Sequence, residues 1–135
     1  MIEIIVATTN AHKLREIGQV IKKKDTRNKI QIIGTPIKVK ENGKTFEANA
    51  IKKVEATKLK TNQIAIADDS GLCVECLGGK PGIKSARFAN PSTSDNLCRK
   101  LLGVMRGCYA NRRASFICVM AVKYPSGKIK IGCIC

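Results

Sequence analysis

Two adjacent carboxylates, Asp68 and Asp69, close a short apolar run in "AIADDSGL". Like charges side by side repel each other unless a cation joins them. Oxygen donors of this kind suit Mg²⁺, which is commonly held by one or two carboxylates together with substrate phosphates. One of the two could also orient or deprotonate a water for attack on phosphorus. The same pair could instead serve a turn, as a helix cap or as one side of a salt bridge. The second candidate is "VATTNAHKLRE". A buried strand that feeds a helix through a short turn leaves backbone N–H groups at the helix N-terminus, and these favour an anion together with the helix dipole. Thr8, Thr9 and Asn10 add side-chain donors, and Lys13 adds a positive charge. That set would suit a triphosphate. It lacks the glycine pattern of a P-loop or a Rossmann turn, and an ordinary capped helix would read the same way. Arg87 follows the "GGKPGI" turns, where its guanidinium could grip a phosphate or pair with an Asp.

The cysteines give a weaker signal. Cys73 and Cys76 form a C-x-x-C, but "LCVECL" reads as a strand, in which residues i and i+3 face opposite sides. No second C-x-x-C exists, and His12 is the only histidine. Cys133 and Cys135 would share a strand face without further ligands. Seven cysteines scattered through apolar segments lead us to expect reduced thiols in a core, not a secreted disulfide framework.

The elements that must position these residues follow from periodicity. Ile2 to Ala7 is a β-branched apolar run, the pattern of a buried strand. Asn10 caps a helix carrying Leu14, Ile17, Val20 and Ile21, which ends in the polar "KKKDTRNK". Lys29 to Gly34 is a second strand. Thr45 caps a helix with Phe46, Ala50, Ile51 and Val54. Gln63 to Ala67 is a third strand and Leu72 to Leu77 a fourth, so Asp68 and Asp69 are expected at a strand end, where open α/β sheets bind ligands. Tight turns follow in "GGKPG". Ser94 is the expected cap of a helix marked by Leu97, Leu101, Leu102 and Met105. The remaining residues read as a hairpin turning at Tyr124 to Gly127. The sum is an α/β chain with a mixed sheet.

Composition bounds the partners. At 135 residues the chain is one domain with room for a core, which relies on Ile, Val, Leu and Ala because tryptophan is absent. A net charge of +15 favours anionic partners, or is simply a solvated basic surface. Aromatics make up only 4%, with no stacking cluster or recognised binding motif, which disfavours nucleic acid. No segment is long enough to span a bilayer, and "MIEIIVATTN" lacks the features of a signal peptide, so we expect a cytoplasmic protein with no membrane partner. The sequence stops inside an apolar strand, leaving an edge that proteins usually protect. That leads us to expect a chain shorter than its architecture intends.

Four blocks occur in order: "ATTNAHKLRE", "TFEANAIKK", "IADDSGLCVECLGGKPGIKSARF" and "ASFICVMAV". Together they resemble the inosine triphosphate pyrophosphatase family, enzymes that hydrolyse non-standard purine nucleoside triphosphates. The resemblance implies a two-lobed α/β fold with a cleft, here a single domain over residues 1–135 that lacks the family's C-terminal part. It implies cleavage of ITP, dITP or XTP to monophosphate and pyrophosphate with Mg²⁺, and a homodimer. It implies a triphosphate lying on Thr8 to Lys13, with Ala11 and His12 contributing mainly backbone. It also implies Asp69 as catalytic carboxylate and metal ligand, Asp68 as its neighbour, and Ser70 as a substrate contact.

The chain departs from the family in two places. The family often has Glu-Asn-Ala in the second block, its Glu resembling a metal ligand. Here Ala48 holds that position, and Glu47, a turn of about 100° away on a helix, is the substitute metal ligand. The family's Phe-Gly-Tyr-Asp-Pro and Ser-His-Arg blocks are absent from the sequence. Two other readings therefore stand beside the enzyme: a weakly active or inactive nucleotide-binding relative, and, behind it, a basic nucleic-acid-binding protein.

Overall fold

The computed structural model describes residues 1–134. Strand β1, Ile2–Ala7, buries Ile4, Ile5, Val6 and Ala7 in succession, as a strand covered on both faces must. It pairs in parallel with β2, Ile30–Thr35, from Ile2↔Ile30 to Ala7↔Thr35. On its other side it pairs in parallel with β3, Gln63–Val74, from Glu3↔Gln63 to Val6↔Ile66. The full sheet has the order β2-β1-β3-β4-β5, completed by β4, Ala114–Lys123, and β5, Ile129–Ile134. The β4–β5 connection is far too short for a crossover, so these two strands run antiparallel and the sheet is mixed. Its turn is closed by hydrogen bonds from Tyr124 N to Lys128 O and from Gly127 N to Tyr124 O, at the position expected from sequence.

Three helices complete the α/β fold. Helix α1, Ala11–Lys24, begins where Asn10 Oδ1 accepts the N–H groups of His12 (2.9 Å) and Lys13 (3.3 Å). Lys22, Lys23 and Lys24 in its last turn complement the negative end of the helix dipole. Helix α2, Phe46–Glu55, is capped by Thr45 and buries Asn49, Ala50 and Val54, which share one face at helical spacing. Lys123, at the end of β4, donates to Thr57 O just beyond α2. Helix α3, Ser94–Val104, takes its cap from Thr93, one residue before the expected Ser94, because Thr93 Oγ1 reaches Asn96 N at 3.2 Å. The expected second strand is likewise displaced by one residue, starting at Ile30 and ending at Thr35.

A larger difference concerns β3. The two strands expected at Gln63 to Ala67 and Leu72 to Leu77 are one strand, and Glu75–Leu77 is instead a 3₁₀ turn. Asp and Gly are depleted in strands, so "DDSG" reads as a break. The strand continues because Gly71 is buried against another piece of backbone: a Cβ there would lie 2.2 Å from Gly82 O and 2.7 Å from Ser85 Oγ. Asp68 and Asp69 are therefore inside β3. They still lie past its parallel pairing with β1, which ends at Val6↔Ile66.

The expectation of reduced thiols alone is also overturned. Cys76 and Cys108 are joined by a disulfide. Glu75 N donates to Arg113 O, and Asn111 Nδ2 donates to Glu75 Oε2, which brings the segment after α3 alongside the 3₁₀ turn that holds Cys76. Cys135 lies outside the described residues. The chain divides into two compact units, Met1–Asp68 with Val119–Gly132, and Asp69–Cys118 with the described residues from Cys133.

Candidate functional site

In the first unit the candidate residues gather at the carboxyl end of the parallel strands. After Val6, Thr8 N turns back to Val6 O, and Thr8 Oγ1 accepts Asn10 N at 3.1 Å. This short turn presents Thr9, Asn10, Ala11 and His12 to solvent. Asn10 caps the helix with its own side chain, so two of the terminal N–H groups are already occupied. The charge at this end comes from Lys13. Its Nζ lies 2.7 Å from Asp68 Oδ2, an ion pair whose carboxylate side chain is only 10% exposed. An Arg15 guanidinium N–H donates to His12 Nδ1 at 3.1 Å.

Asp68 has a second cationic neighbour that the sequence did not point to. Lys53, on α2, donates from Nζ to the Asp68 carbonyl at 2.9 Å and is also paired with Glu41. The loop holding Glu41 is tied to the same helix. Asn49 Oδ1 accepts Gly43 N at 2.8 Å, and Lys52 reaches Asn42 Oδ1. Gly43 has to be glycine for this approach, since a Cβ would sit 2.5 Å from Asn49 Oδ1. The available signal was the helical spacing of Asn49 and Lys53, one turn apart on the same α2 face within "TFEANAIKK". Nothing in the sequence tied them to Glu41. Glu47 is exposed in the first turn of α2, where it complements the positive end of the helix dipole. The acid brought to Lys53 is Glu41.

In the second unit Asp69 is buried in β3, with Ser70 half-buried after it. Ser85 is fixed as scaffold: its hydroxyl accepts Leu72 N at 2.9 Å and donates to Gly82 O at 2.6 Å. This holds the 3₁₀ segment Gly82–Arg87 against the strand, with Arg87 exposed at its end.

Two carboxylates with substrate phosphates form a donor set that Mg²⁺ accepts. Here Asp68 is occupied by Lys13, and among the described residues no group of three or more His, Cys, Asp or Glu side chains is placed to hold a metal. The donor chemistry of a carboxylate with substrate phosphates suits Mg²⁺, while among the described residues no site is built from protein ligands alone. Chemically, the first unit offers a lysine-bearing helix N-terminus for an anion, and the second holds a buried carboxylate.

The Ham1 family matches residues 4–133. The dITP/XTP pyrophosphatase of Bacillus anthracis is 39% identical over 133 residues, covering 96% of this chain and 66% of that protein. The dITP/XTP pyrophosphatase of Bacillus licheniformis is 41% identical over 135 residues, covering 96% and 68%. Among solved structures, the Ham1 protein of Staphylococcus aureus superposes with a TM-score of 0.79 at 34% identity, over 97% of this chain and 68% of that one. A HAM1 protein from Coxiella burnetii gives 0.80 at 31% identity, over 98% and 71%. The chain spans about two thirds of the length of these relatives. With the family blocks in order on one mixed sheet, this chain belongs to the Ham1 family.

Proposed function

We propose that this chain binds the triphosphate of a non-standard purine nucleotide, ITP, dITP or XTP, and hydrolyses it to monophosphate and pyrophosphate. The observation that carries the reading is the placement of Lys13 at the N-terminus of α1, 2.7 Å from Asp68 at the carboxyl end of the parallel strands. An anion at that helix end meets the positive dipole and an ammonium group together. In this reading Thr8, Thr9, Asn10 and Lys13 line the triphosphate, with the backbone of Ala11 and His12, while Ser70 and Arg87 are further substrate contacts. Asp68 orients Lys13. Asp69 takes the proton of the water that attacks the α-phosphorus; the bond from that phosphorus to the α–β bridging oxygen breaks, and pyrophosphate leaves. Asp69 would hold Mg²⁺ together with the substrate, and the ion, when bound, would supply Lewis-acid polarisation of the reacting phosphoryl group. The names of the relatives support the substrate class. A homodimer and a cytoplasmic location belong to the same proposal. Among the described residues no helix is long and apolar enough to cross a membrane, and nucleic acid has no part in the reading.

The test is turnover of ITP, XTP, GTP and ATP with and without Mg²⁺, for the parent and Asp69→Asn. Loss of a catalytic carboxylate at a phosphoryl centre is expected to lower ITP turnover by roughly a hundredfold or more, with activity in the parent dependent on Mg²⁺. Equal rates in parent and variant would remove Asp69 from the chemistry.

A further inference from the structure

We propose that Cys76 and Cys108 are a reversible dithiol–disulfide couple that fastens α3, and the segment carrying Ser85 and Arg87, to the end of β3. The two cysteines are 32 positions apart with Cα atoms 6.0 Å from each other, and their bond encloses the "GGKPG" turns, the 3₁₀ segment and the whole of α3. Apolar burial over this span is thin. Helix α3 contains no buried residue. Among the described residues of the second unit, the buried apolar side chains are Val74 and Met105, with Pro81 beside β3. Where burial is thin, a covalent tie sets how often a segment opens.

The surroundings suit a couple that cycles. Both cysteines are partly exposed, so a small thiol can reach them. Their backbone neighbours are held without the sulfur bond: Glu75 N to Arg113 O at 3.0 Å, Asn111 Nδ2 to Glu75 Oε2 at 2.8 Å, and Arg112 Nε to Cys108 O at 3.1 Å. On reduction these contacts keep the thiols near each other, while α3 and the turns lose their fastening. On oxidation by a small-molecule disulfide such as oxidised glutathione, one protein thiolate attacks a glutathione sulfur and expels one glutathione thiolate. The second protein thiolate then attacks the mixed disulfide and expels the other. The protein loses two electrons and two protons, and one oxidised glutathione becomes two reduced ones. The effect on Arg87, and through it on nucleotide binding, rests on the proposed function; the couple itself does not.

The chain is equilibrated across a series of reduced-to-oxidised glutathione ratios, quenched with an alkylating reagent and mapped by peptide mass. Limited proteolysis and binding of a non-hydrolysable ITP analogue are read in parallel. The Cys76–Cys108 linked peptide should convert to two alkylated peptides as the ratio rises. Cleavage between Gly78 and Val104 should then speed up by about tenfold or more, as expected for a segment whose opening the bond controls. Cys76→Ser combined with Cys108→Ser should be cleaved at the reduced rate at every ratio, and Cys98→Ser should follow the parent. If the double variant fails to fold, the reduced parent decides by the same two measurements. Recovery of either cysteine as alkylated thiol at all ratios, or equal cleavage of oxidised and reduced chains, overturns the proposal. Absence of analogue binding in both states counts against the proposed function and leaves the couple to the mapping and proteolysis.

Discussion

Asp25 ends α1 and starts β2: its carboxylate accepts Lys29 N at 3.1 Å and Ile30 N at 2.8 Å. The Ile30 N–H bond is the main reason its carboxyl is held below the ordinary value of 3.8; desolvation opposes this, and the Lys29 and Arg27 backbone and the Lys29 charge assist. A carboxyl depressed in the folded chain contributes stability above its unfolded pKa, and that contribution is lost as pH falls through the folded one. Asp25→Asn should therefore melt at a lower temperature than the parent at neutral pH, with the gap closing below about pH 4. Thermal unfolding followed by circular dichroism at stepped pH checks this; a gap that stays constant to acid pH would mean the charge is not the cause. From sequence Asp25 was only part of a polar break, because its partners lie in backbone that has yet to turn. The caps at Asn10 and Thr45 were legible because each bonds N–H groups two or three residues away. The Glu41–Lys53–Asp68 chain was not, because it joins a loop, a helix and a strand that only the fold brings together.

Among the elements, β3 departs most from what local propensity suggests. A break at "DDSG" is the correct local reading, and the strand overrides it through the close approach of Gly82 and Ser85 to Gly71. Gly71→Ala must push backbone apart and should destabilise the chain by about 1–3 kcal/mol, the usual range for overpacking. Gly103 in α3 is the matched control: nothing lies within 4 Å of a Cβ built there. Gly103→Ala should be neutral or gain about 0.5–1 kcal/mol from helix propensity. Urea denaturation of both variants separates the two effects. Equal midpoints would mean that the Gly82–Arg87 segment yields to the methyl group and does not set the course of β3. The order and type of the first elements, β1-α1-β2-α2, were legible because β-branched runs and capped amphipathic segments alternate there. The disulfide was not, since the spacing of seven cysteines does not say which two meet.

The whole molecule carries a net charge of +15. Binding of a triphosphate analogue should weaken steadily with added salt up to about 0.3 M, as screening shortens the reach of that field. Lys22→Ala, on the exposed last turn of α1, should lower affinity only slightly, whereas Lys13→Ala should lower it and flatten the salt dependence. Isothermal titration at several ionic strengths checks both; identical slopes for the parent and Lys13→Ala would place the anion elsewhere. The lysines also differ as chemical reagents. Lys53, with 15% of its side chain exposed and its ammonium held between Glu41 and the Asp68 carbonyl, is shielded from a water-soluble acylating agent. The amines standing in solvent are acylated first, so the surface can be discharged while this internal ammonium is still intact. A property that disappears early in such a time course belongs to the field of the molecule as a whole. One that persists until the slow phase belongs to the shielded nitrogens, among them the one that joins loop, helix and strand.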